Sequence, residues 1–162
     1  MDGLLELDPM EFDKAPLGWR YLSNEGKHKE AFALIDAYVS KNSVLIEKQW
    51  RERKEGEEAL PPEIFSWHKG QLLAEIGENK YASAISEFDK SRMIGREDWN
   101  AYVDASIAFL KQDSVGLAKA LAEMEAIETK KSKCHNIEIV RNFSLALAEG
   151  NHSYEYAYGL ER

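Results

Sequence analysis

Four stretches of this 162-residue chain put small or apolar side chains at i, i+3, i+4 and i+7. They are Ala31, Leu34, Ile35, Tyr38; Tyr81, Ala84, Ile85, Phe88; Tyr102, Ala105, Ser106, Phe109; and Leu117, Ala120, Leu121, Met124. That spacing lines one face of an α-helix. The turn clusters and β-branched runs that strands need are almost absent, and only 4 prolines and 10 glycines punctuate the chain. The expected fold is therefore all-α. Short breaks separate the periodic stretches: Gly26-Lys27, Gly77-Glu78-Asn79, Gly95, Asp113-Ser114 and Gly150-Asn151. A glycine just past a helix end takes the left-handed conformation without a Cβ clash. Asp98, Asp113, Ser114 and Asn136 are expected N-caps, and Pro61-Pro62 before Glu63 suits a helix start.

The breaks recur. Gly26, Gly77, Asp113 and Gly150 lie 51, 36 and 37 residues apart, and Ala31, Ala84 and Ala118 open the next apolar face after the first three. A period in the middle thirties, with a helix-turn-helix in each unit, predicts an α-α superhelix of stacked helix hairpins. Small residues at Gly70, Ser106, Ala84 and Ala118 would let the two helices of a unit approach. The expected units are about 17–40, 63–93, 98–127 and 136–158 in one domain. A charged insertion at 41–60 carries Trp50. It reads either as a partner contact or as an exposed helix extension with pairs such as Glu47 and Arg51.

These residues resemble the tetratricopeptide repeat, three to four units of it. The second unit carries the resemblance through Ser66, Gly70, Leu73, Gly77, Tyr81, Ala84, Ile85, Phe88 and Ser91, and the third through Tyr102, Ser106, Phe109 and Ala118. Trp19 and Phe143 stand where the motif has a small residue. The resemblance implies a concave face lined by the first helix of each unit and used to hold a protein or peptide segment. Its inward positions carry over to Arg20 and Asn24 in the first unit, to Trp67, Gln71 and Glu75 in the second, and to Asn100 and Lys111 in the third. The segment from Trp99 to Leu110 is also similar to part of a group of bacterial proteins of unknown function. That similarity implies a bacterial, cytosolic protein and no particular activity.

Twenty-one basic against 29 acidic residues leave a net charge of −8. Phosphate-backbone binding needs a basic face, so no nucleic-acid partner is expected. An acidic chain favours a basic or mixed partner. The opening from Met1 to Asp8 has no basic n-region, and no apolar run reaches membrane-spanning length, so a cytoplasmic protein without a membrane partner is expected. The Asn142 and Asn151 sequons then read as chance matches.

Catalytic signatures are missing from the sequence: it holds no P-loop, GxSxG, HExxH or CxxC. No cofactor or metal is expected. His68, Gln71 and Glu75 share one helix face beside Trp67 and read as a polar ligand stripe or as a solvated face. Cys134 and His135 are neighbours in sequence and point apart on a helix or its entry, which argues against a catalytic dyad. The leading expectation is a non-catalytic, peptide-binding scaffold. A small enzyme using His68 and Glu75 as acid and base, and a self-associating subunit such as a homodimer, stay open beside it. Asp104 reads as a groove residue or as the partner of a nearby base. Tyr154, Tyr156 and Tyr158 read as a docking surface or as a terminal lid.

Overall fold

The computed structural model describes residues 3–131 and 134–160, with Lys131 described in its backbone alone. Met1 and Asp2, part of the N-terminal reading, lie outside the described residues. The described residues are helical and contain no strand. In chain order the helices are α1 (Pro9–Lys14), α2 (Trp19–Asn24), α3 (His28–Glu52), α4 (Glu63–Ile76), α5 (Tyr81–Lys90), α6 (Glu97–Leu110), α7 (Ser114–Lys131), α8 (Ile137–Ala148) and α9 (Tyr154–Tyr158).

Packing follows chain order. Each helix from α1 to α8 lies against its successor, and α6 also meets α8. The four periodic faces are the buried ones: Ala31, Ile35 and Tyr38 on α3, Ala84 and Phe88 on α5, Ala105 and Ser106 on α6, and Leu117, Ala120 and Met124 on α7. Ala118 is exposed, so in α7 it is Leu117, one residue before it, and Ala120, two residues after it, that are buried in its place.

Three of the turns share one hydrogen-bond pattern. After α2, Lys27 N donates to Leu22 O and Gly26 N to Ser23 O, each at 2.8 Å. After α6, Asp113 N donates to Ala108 O and Gln112 N to Phe109 O, each at 2.9 Å; after α8, Asn151 and Gly150 repeat the pattern. This double closure satisfies the last carbonyls and needs a left-handed residue at the turn. Gly26 and Gly150 fill that place, and in the α6–α7 turn it is Gln112, at φ 56°, not Asp113. Asp113 instead caps α7, its Oδ1 accepting from Gly116 N at 2.9 Å. Asp98 lies within the first turn of α6 rather than capping it, and Asn136 precedes α8 without a side-chain cap bond. The extra residues after Gly77 form a 3₁₀ turn, Glu78–Lys80.

The N-terminal segment packs onto the first hairpin. Asp8 accepts from Met10 N and Glu11 N, each at 2.9 Å, Glu11 reaches back to Asp8 N, and Pro9 opens α1. This is a complete capping box. Phe12 of α1 stacks on Tyr38 of α3 at 3.7 Å, and the Tyr38 hydroxyl donates to Leu7 O at 2.9 Å. Residues 41–52 of the expected charged insertion continue α3, with only Ile46 buried among them. Glu47 and Arg51 form no ion pair among the described residues, and the Arg53 guanidinium lies over the Trp50 ring.

Helix α4 is the shared wall of the molecule. Phe65 and Leu72 join a core with Phe12, Trp19, Ile35 and Tyr38, whereas Trp67, Leu73 and Ala74 join a larger core with Phe88, Tyr102 and Phe109. A helix buried on two sides needs apolar residues nearly all round. Lys69 of α4 ties the layers together, 2.8 Å from Asp36 of α3 and 3.6 Å from the buried Glu87 of α5.

The C-terminal helix does more than cover its neighbour. α9 packs on α8 and also on α4, two hairpins earlier. Tyr154 is buried against Phe88, Phe143 and Tyr158, its backbone N donates to the Tyr81 hydroxyl at 3.2 Å, and that hydroxyl donates to His152 O at 2.7 Å. Tyr156 points outward and is exposed. The tyrosine cluster is thus a lid that reaches back across the molecule. Asn142, the first sequon, is buried and donates to Leu160 O at 2.8 Å.

Candidate functional site

Helices α2, α4 and α6 face a common cleft of about 480 Å³. Its wall contains Arg20 and Asn24 from α2, Trp67, His68, Gln71 and Glu75 from α4, and Trp99 and Tyr102 from α6, with Tyr158 of α9 and Asn136 closing the rim. Six of the eight residues singled out in the sequence therefore meet in one place. The other two do not. The Asn100 side chain accepts from Met93 N and donates to Met93 O, each at 2.9 Å, which folds the α5–α6 loop onto α6. Lys111 lines a separate hollow of about 260 Å³ between α6 and α7, with Asp113 and Glu123. Asp104 is exposed and pairs with Arg92 at 2.6 Å, outside the cleft.

Trp67 contributes less surface than expected. It is 3% exposed, its ring 4.7 Å from Phe88, 4.9 Å from Trp99 and 4.6 Å from Tyr102. It forms the floor of the cleft and part of the core at once. The partly exposed aromatic walls are instead Trp99 and Tyr158, whereas Trp19, at 5% exposed, is buried much as Trp67 is; sequence spacing did not pick out any of these three as ligand-facing. Trp19 stands where the repeat pattern calls for a small residue, and that bulk was the available signal. Its indole Nε1 is buried without a hydrogen-bond partner.

Arg20 is committed within the protein. Its Nη2 donates to both Asp13 carboxylate oxygens at 2.9 and 2.8 Å, its Nε donates to Asp13 O at 3.0 Å, and the guanidinium lies 4.3 Å from the Trp19 ring centre. Asp13, from α1, had no sequence signal tying it to the site. His68 packs 4.5 Å from the Trp19 ring, and its Nδ1 is 3.0 Å from Gln71 Oε1. With the proton on Nδ1, Nε2 is left as an acceptor, 3.9 Å from Asp13 Oδ1. At the other end, Glu75 Oε2 faces His28 Nδ1 of α3 at 3.0 Å, and burial raises the Glu75 pKa.

Burial lowers the His68 pKa to about 4; the Gln71 bond and Asp13 pull it up, and Arg20 pushes it down. His68 is thus neutral in the folded protein near pH 7. Unfolded, it takes a proton below about pH 6.5. The unfolded chain then binds more protons, so stability falls as the pH drops from about 6.5 towards 4, and the effect is absent above 6.5. Between pH 7 and 5, wild type should lose about 2 kcal/mol more stability than His68→Gln. Urea denaturation of both proteins at each pH checks this; the opposing contribution of Glu75 is common to both and cancels. Parallel pH curves would put His68 in contact with bulk water.

Cys134 is buried and His135 is exposed, so the two side chains diverge. Among the described residues no group of three or more His, Cys, Asp or Glu is placed to hold a metal ion, and no helix is long and apolar enough to cross a membrane. No family model matches the chain, and no match is found among curated proteins or among solved structures.

Proposed function

We propose that this protein is a non-catalytic, tetratricopeptide-like scaffold that holds a peptide segment in the cleft between α2, α4 and α6. The observation that carries this reading is the convergence of Arg20, Asn24, Trp67, His68, Gln71 and Glu75 on that one cleft. A concave face lined by the first helix of each pair is what stacked hairpins produce. The volume of about 480 Å³ takes a few residues of extended peptide rather than a long segment. Aromatic walls offer contact area, and the exposed Asn24 amide offers hydrogen bonds to a peptide backbone. The low proton affinity of His68, together with its seven-residue separation from Glu75 along α4, favours binding over acid-base catalysis at this site.

Selection from a random peptide library on immobilised protein tests the reading. Selected peptides should bind Asn24→Ala, a change at an exposed rim residue, at least tenfold more weakly than wild type, while the two proteins show the same thermal melt by circular dichroism. Failure to select any peptide, or equal binding by both proteins, would overturn it.

A further inference from the structure

Every charged group that lines the cleft already has a partner inside the protein. The Arg20 guanidinium lies on the Asp13 carboxylate, its Nη2 bonded to both oxygens. Glu75 faces His28 Nδ1 at 3.0 Å and takes a hydrogen bond from Ser23. His68 is bonded to Gln71. A charged ligand group entering here would give up its water and meet no unmatched charge.

The exposed part of the wall is aromatic, and its polar atoms are turned inward. Trp99 and Tyr158 are each partly exposed. The Trp99 indole N–H donates to Ser91 O at 2.7 Å, and the Tyr158 hydroxyl faces that of the buried Tyr102. Both rings are braced from behind: Trp99 edge-on against Trp67 at 4.9 Å, and Tyr158 stacked on Tyr154 at 5.6 Å. What they turn to the cleft is ring surface held in place. An aromatic side chain gains more on such a surface than its buried area alone would give, through edge-to-face or offset stacking.

Two free amides flank that surface. Asn24 ends α2 and Asn136 precedes α8; both are exposed, and neither side chain bonds another described residue. A primary amide carries a donor side and an acceptor side, the complement of the C=O and N–H of a peptide unit.

Resting on the peptide-binding reading above, we propose that the cleft selects an uncharged aromatic side chain of the bound peptide, seated against Trp99 and Tyr158, while the peptide main chain is held at the rim by the Asn24 and Asn136 amides.

The test uses the peptides acetyl-Ala-Ala-X-Ala-Ala-amide with X as Phe, Lys or Glu. Binding to the full chain is followed by tryptophan emission and by NMR shifts. The Phe peptide should bind at least about tenfold more tightly than the Lys and Glu peptides. Its affinity should change less than about twofold between about 0.05 and 0.5 M NaCl, because no ion pair forms. The Trp99 indole and Tyr158 resonances should shift. Asn136→Gly removes the amide and suits the φ of 66° there, so it should melt as wild type does and bind the Phe peptide at least about fivefold more weakly. Equal binding of the three peptides, or none of the Phe peptide, would overturn the aromatic seat. Shifts gathered instead on the apolar groove of Leu4, Leu7, Met10 and Leu17 would overturn it too. Wild-type affinity in Asn136→Gly would overturn the rim contact. In each case peptides selected from the random library would leave peptide binding itself standing, whereas an empty selection removes both.

Discussion

Trp67→Ala should destabilise the protein by about 4 kcal/mol, a typical loss for truncating a buried Trp. Domains of this kind hold about 5–15 kcal/mol in total. The size of the effect follows from position. Trp67 is 3% exposed and touches Phe88 of α5 and both Trp99 and Tyr102 of α6, so one side chain joins three helices. Truncation leaves a void that rigid aromatic neighbours cannot fill. Urea denaturation with an unchanged m-value measures the loss, and Asn24→Ala, an exposed rim change, should lie within about 0.5 kcal/mol of wild type. A loss below about 1 kcal/mol for Trp67→Ala would mean that the ring stands in the open cleft rather than in its floor. For this reason Trp67 is a poor probe of binding.

Gly70→Ala comes next in size. In an exposed helix interior the change would stabilise by about 1 kcal/mol. Here a Cβ on Gly70 would lie 2.6 Å from Phe88 Cδ1, and Phe88 is fully buried between Trp67 and Tyr154. Overpacking at such a contact costs about 1–3 kcal/mol and in the tightest cases more. The net expectation is a loss of about 2 kcal/mol. Phe88→Leu in the same chain should recover part of it, so that the double variant loses at least about 1 kcal/mol less than the two single losses combined. Chemical denaturation of the four proteins gives the coupling. A Gly70→Ala protein more stable than wild type would show that α4 and α5 do not approach as closely as described.

The same two residues show how far a one-dimensional reading reaches. Gly70 is legible because the repeat spacing puts a small residue there, where the two helices of a unit approach. Trp67 was legible as an important residue but not as a buried one. On α4 both faces are covered, and periodicity cannot distinguish a ring that lines a cleft from a ring that lies beneath it. Helix α1 is written locally in Asp8, Pro9 and Glu11, which spell a capping box, but the run is too short to show a period. Asn100 was assigned to the concave face by repeat position. Its amide instead finds both polar groups of Met93, a contact made available by a loop whose path no spacing rule describes.

Local sequence determined the helices, their buried faces and most of their stops, because those depend on side chains within a few residues of one another. Gln112 at the α6–α7 turn shows the limit even there: the hydrogen-bond closure selects the position, and glycine is only its usual occupant. The cleft was decided by the tertiary structure. Asp13 holds Arg20 from another helix, His28 meets Glu75 from α3, and α9 returns to α4 across two hairpins. Each of these joins residues whose separation along the chain says nothing about their distance in space. Whether a charged group is spent or free is set by those long-range neighbours, and on that distinction the chemistry of the cleft turns.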